Sequence, residues 1–97
     1  MGVRFNRNYE DIIEELMMAL INIENVYEFF DMKTVTWNNL EEKTQKEFLR
    51  TMSNDLIYGL DKNSEFNIGQ GLIKYNKQEN IIQVISKDDT VTEINLV

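Results

Sequence analysis

The stretch IIEELMMALINIENVYEFF, residues 12–30, is the longest apolar concentration in the chain, and its periodicity decides how the rest is read. Ile12, Leu16, Leu20, Ile23, Tyr27 and Phe30 recur every three or four residues, the spacing that lines one side of an α-helix. Ile13, Met17 and Ile21 form a second apolar set beside the first, interrupted only by Glu24, while Ala19 and Val26 widen the arc on the other flank. The polar strip is correspondingly narrow. It holds Glu14, Glu15, Asn22, Asn25 and Glu28, and Met18 falls inside it. The pattern predicts a helix over about 9–31 that needs contacts on more than one side, with Asn8 as its cap and carboxylates, Asp11 among them, near its positive dipole end.

Past that helix, DMKTVTWNN (31–39) interrupts the periodicity with β-branched residues and two asparagines, and is read as a turn. A second helix is predicted over about 38–60, with Asn39 and Glu42 as a capping signature. Leu40, Phe48, Leu49, Met52, Leu56, Ile57 and Leu60 make its single stripe, and EEKTQKE is its solvated face, with Glu42 and Lys46 at an i, i+4 spacing. Gly59 and the polar run DKNSE end it.

Beyond Phe66 the apolar period falls to about two and β-branched residues dominate. Three strands are expected, over about 66–75, 80–86 and 90–97, joined by the polar turn segments NKQEN and SKDD into an antiparallel meander. Ile82, Val84, Thr92, Ile94 and Leu96 share the face offered to the helices, while Ile81, Ile85, Val91 and Val97 make the other face more apolar than a wet surface requires. Gly69 and Gly71 are expected to permit a bulge or a close backbone approach. The fold class is α+β, two helices on a three-stranded sheet, with residues 1–97 as one domain and 1–8 as a loosely ordered start.

Composition narrows the chemistry. The chain has no cysteine and no histidine, which removes disulfides, thiolate nucleophiles, the usual zinc ligands and the commonest general base. Its formal charge of −7 opposes binding to nucleic-acid phosphates or anionic lipid, and Arg4 and Arg7 around Phe5 are too few to make a nucleic-acid arm. No run reaches the roughly 18–20 apolar residues of a membrane span, the first eight residues are too polar for a signal peptide, and Asn6 stands where a myristoylation motif wants Ser or Thr. A cytoplasmic protein is expected. Abundant Asn, Ile and Lys with no proline associates compositionally with bacterial or phage chains.

Local motifs fail on inspection. DKNSEF spaces Asp61, Asn63 and Glu65 like a calcium loop, but Phe66 and Leu72 occupy the glycine and glutamate positions. IGQG lacks the third glycine of a dinucleotide fingerprint. Adjacent carboxylates such as Glu14 with Glu15 and Asp88 with Asp89 read as solvated surface, and Ser53, Ser64 and Ser86 have no activating partner. No cofactor, metal site or catalytic residue is assigned.

The expectation is a non-enzymatic protein-interaction module, an adaptor, regulatory subunit or inhibitor, working through helix 1 and an acidic rim. Its partner is another protein or a second copy of itself. Glu14, Met17, Met18, Ile21 and Trp37 are the candidate binding residues, because methionine adapts to varied surfaces and tryptophan anchors interfaces. Trp37 reads first as a plug at the end of the helical pair and second as such an anchor. The alternatives are an immunity or anti-defence protein that mimics nucleic-acid charge, and an enzyme using carboxylates with a divalent metal.

Overall fold

The computed structural model describes residues 5–97, so Arg4 and the Gly2 motif lie outside the described residues. Three helices precede a four-stranded sheet: α1 (Tyr9–Leu20), a 3-10 turn (Val26–Phe30), α2 (Thr34–Asn39), α3 (Glu42–Gly59), then β1 (Glu65–Ile68), β2 (Gly71–Asn76), β3 (Ile81–Ile85) and β4 (Val91–Asn95). The strands pair antiparallel in sequence order. The class is α+β, as the change of period implies, but the counts and several boundaries differ from the sequence reading.

Helix α1 starts as expected, with the Asn8 side chain accepting the Glu10 N–H at 2.9 Å and so satisfying one donor of the first turn. It stops eleven residues short of Asp31. Asn25 takes a left-handed backbone conformation, with φ 63°, which asparagine tolerates better than most residues. The Glu24 carbonyl accepts the Gln70 N–H at 2.9 Å, and Ile23 packs against the position where Gly71 would carry a Cβ. The first turn of the sheet therefore docks on residues 23–25 and takes from them the backbone geometry a helix would need. Tertiary contacts override an apolar period that was otherwise long enough.

That turn also divides the strand expected over 66–75. Gly69 has φ +52°, and a Cβ there would stand 2.5 Å from the carbonyl oxygens of both Glu24 and Asn25. The close approach is real, but it forms a β1–β2 hairpin and not a bulge in one strand, with Phe66 opposite Ile73 and Ile68 opposite Gly71. The later registers follow the alternation: Ile82 faces Tyr75 and Ile94, and Val84 faces Ile73 and Thr92. Ile68, Ile73, Tyr75, Ile82, Val84, Ile94 and Leu96 are buried under the helices. On the opposite face Leu72, Ile85 and Val91 align across three strands beside the mixed row Glu65, Lys74, Gln83 and Glu93.

The segment read as a turn over 31–39 contains α2. Its β-branched Thr34, Val35 and Thr36 are held helical by the burial of Trp37, whose ring lies 6.1 Å from Phe30, 6.3 Å from Phe48 and 6.5 Å from Tyr27. Asn39 consequently belongs to α2 and does not cap α3, whose cap residue is Glu41 with no side-chain bond. The Gln45 amide instead donates to the Trp37 carbonyl at 2.8 Å, tying the two helices together. Asn6 and Arg7, just ahead of α1, are pinned as well: the Asn6 N–H donates to the Leu96 carbonyl at 2.9 Å, and the Arg7 guanidinium to that of Asn95 at 2.8 Å. Among the described residues no helix is long and apolar enough to cross a membrane.

Candidate functional site

At roughly 100° per residue, the buried side chains of α1, Ile12, Ile13, Leu16, Ala19 and Leu20, cover about a third of its circumference. Helix α3 packs on this arc and β4 lies beside it. Part of the surplus apolar surface is thereby satisfied internally, since Ile13 belongs to the core. The remainder is not. Beyond Ile13 the helix surface passes through half-buried Met17 to Ile21 and Met18, which are 44% and 71% exposed.

These residues form one wall of an open groove of about 780 Å³ between α1 and α3, lined on the first helix by Glu14, Met17, Met18 and Ile21. The facing wall comes from the first half of α3, where Leu49 forms the floor and Glu42, Lys43, Lys46, Glu47 and Arg50 the rim. The helices run antiparallel. Tyr9 donates its hydroxyl hydrogen to Asn54, and Arg50 reaches Glu10 at 2.6 Å and Glu14 at 3.7 Å. Met18 and Ile21 consequently stand beside the first turns of α3.

The carboxylates of α1 are largely engaged within the chain. Arg7 binds Glu15 through both guanidinium nitrogens; that hydrogen bonding holds the Glu15 carboxyl below the ordinary carboxylate range and raises the Arg7 guanidinium. Hydrogen bonding to Glu10 likewise raises Arg50. Lys46 pairs with Glu42 at 3.5 Å, the i, i+4 contact expected from their spacing. Lys43 and Glu47 form no ion pair among the described residues. Among those residues no three acidic side chains gather closely enough to hold a metal ion.

Four of the five residues singled out from sequence, Glu14, Met17, Met18 and Ile21, are therefore brought together on one wall. Trp37 is not among them. It is 7% exposed and stacked into the aromatic cluster against Phe48, on a different side of the same first half of α3, so its ring plugs the core. Sequence reasoning missed the α3 wall, because EEKTQKE reads as solvated surface whether or not it borders a groove. It also missed Phe29 of the 3-10 turn and Val35 of α2, which are 40% and 63% exposed. The chain matches no protein-family model, and neither a curated protein nor a solved structure matches it.

Proposed function

We propose that this chain is a small non-enzymatic interaction module that docks another polypeptide through the α1–α3 groove. The observation that carries this reading is the placement of Met18 and Ile21, 71% and 44% exposed, beside half-buried Met17 and under a rim of charged side chains. An apolar strip bounded by charge is the usual anatomy of a docking surface, with energy concentrated in the strip and orientation set at the rim. Unbranched, polarisable methionines suit it to a helical or extended segment of varied shape. A charge mimic aimed at a nucleic-acid enzyme needs free carboxylates gathered on one face, whereas Glu10, Glu14 and Glu15 are engaged by Arg7 and Arg50.

The test places a photo-crosslinking amino acid at position 18 and, as a control, at position 58, where Tyr58 is 80% exposed and outside the groove. Irradiation in the native cells should give a discrete adduct at position 18 that is missing at position 58. No adduct, or the same adduct from both positions, would remove the groove as the docking surface.

A further inference from the structure

The groove's rim limits what can fill it. Glu14, Glu42 and Glu47 balance Lys43, Lys46 and Arg50, so the rim carries no net charge although the chain carries −7. Neither a strongly basic nor a strongly acidic partner would gain electrostatic preference there. What the rim does carry is one unpaired charge of each sign. Lys43 and Glu47 lie one helical turn apart on α3 and line the same groove, and neither has an ion-pair partner among the described residues.

A pattern of this kind is self-complementary. In an isologous contact whatever residue i does to residue j of the other copy, j does to i. A two-fold axis level with residue 45, on the side of α3 that carries Lys43 and Glu47 and away from the Gln45 side chain, sets two α3 helices antiparallel and brings each Lys43 opposite the other copy's Glu47, forming two ion pairs in one step. Because α1 and α3 are antiparallel, Met18 and Ile21 lie next to that axis. They enter the contact from both copies, and Met17 and Leu49 provide the surface they cover. We infer that the occupant of the groove is a second copy of this chain, held by a Met17, Met18 and Ile21 centre and by reciprocal Lys43–Glu47 pairs. A standard interface takes roughly 800 Å² from each partner, about an eighth of the 6293 Å² surface of this molecule, so the contact must extend beyond the groove onto the neighbouring exposed sides of α1 and α3.

This inference rests on the groove being the docking surface, and a charge-swap series measured by sedimentation equilibrium separates the two. The wild-type chain should approach twice its 11.5 kDa mass as concentration rises. Lys43→Glu opposes two glutamates across the axis, and Glu47→Lys opposes two lysines. Each alone should weaken self-association at least tenfold, the double swap should restore it, and an equimolar mixture of the two single variants should associate with each other. Circular dichroism checks that each variant is folded. Should a reversal unfold the chain, Lys43→Gln combined with Glu47→Gln reads the same contact, since losing both pairs must also weaken the dimer. A wild type that stays monomeric throughout overturns the inference, as does a dimer indifferent to the single reversals. A monomer that still gives a position-18 adduct with another polypeptide removes the second copy and keeps the docking surface; a monomer with no adduct removes both.

Discussion

Replacing Gly69 by alanine tests the contact that ends α1 and starts the sheet. The left-handed backbone at this position, φ +52°, costs an L-residue roughly 1–2 kcal/mol. The added Cβ would meet the Glu24 and Asn25 carbonyl oxygens at 2.5 Å, and both belong to backbone that cannot swing aside as a side-chain tip does. Opening these contacts displaces the hairpin from residues 23–25, at about 1–3 kcal/mol for a forced shift in a packed region. It also lengthens the 2.9 Å bond from the Gln70 N–H to the Glu24 carbonyl, worth about 0.5–1.5 kcal/mol. The loss expected for Gly69→Ala is about 3–6 kcal/mol, a large share of what a domain of this size has. At about 4–8 °C per kcal/mol, thermal unfolding followed by circular dichroism should show Tm falling by at least about 12 °C, and the Gln70 amide should lose its hydrogen-exchange protection. Gly59→Ala is the control. Its Cβ would meet the Phe66 ring tip at 2.8 Å, a group that can move, and alanine gains up to about 1 kcal/mol in helix propensity, so the net change should stay within about 1 kcal/mol. A Gly69→Ala variant that melts within about 4 °C of wild type would refute the docking account of why α1 stops.

Neighbouring positions on α1 should separate sharply in a urea titration: Ile13→Ala, truncating a side chain 1% exposed, should cost about 2–5 kcal/mol, whereas Met18→Ala, at 71% exposed, should stay within about 0.5 kcal/mol, and equal costs would misplace the groove wall. The single tryptophan gives a direct optical test: Trp37 should emit as a buried indole and resist acrylamide quenching until the chain unfolds, and Trp37→Ala should cost about 3–5 kcal/mol; free quenching in the folded state would dissolve the aromatic cluster. The Glu15 carboxyl is held below its ordinary value of 4.5 chiefly by its hydrogen bonds to Arg7, so the pair contributes fully above the unfolded-state pKa and is lost as pH falls through the lower folded-state value. Stability measured against pH should therefore decline less steeply below pH 4.5 in Glu15→Gln than in wild type, and parallel acid limbs would mean that the pair contributes nothing.

Strand alternation was legible because β-branched residues at period two leave only one register that buries Ile82, Val84, Ile94 and Leu96 together. The start of α1 was legible through the Asn8 cap, whose bond is local. The end of α1 was not, because its cause lies some 45 residues away, in the approach of the Gly69–Gln70 turn to the Glu24 and Asn25 carbonyls. A helix continued to Asp31 puts Ile23 on its apolar stripe and Val26 on its flank, whereas both enter the core from the turns beyond Leu20. Strand β1 was hidden for a related reason. EFNI supplies only four residues, and its glycine-bounded turn reads equally as a bulge. In α2, propensity pointed to a turn and the burial of Trp37 decided otherwise.

Four of the five candidate residues line one wall despite the misplaced helix boundary, because the pattern that singled them out is independent of it. Met18 falls among carboxylates on any helix that includes residues 14–21, and no arrangement of α1 that buries Leu16 and Leu20 can also bury it. Such a position is a mismatch between residue type and place, and the mismatch points outward. Trp37 gave no comparable signal: a tryptophan among other aromatics has the same sequence context as a core plug and as an interface anchor, and only packing distinguishes them. The charges work the opposite way. Counting them over the chain gives −7 and suggests a basic partner, but the two arginines beside α1 engage three of its carboxylates and the groove rim is left neutral. What matters for recognition is the charge without an ion-pair partner at the place of contact, and at this groove, among the described residues, that is one lysine and one glutamate a single turn apart, the reciprocal pattern on which the inferred dimer rests.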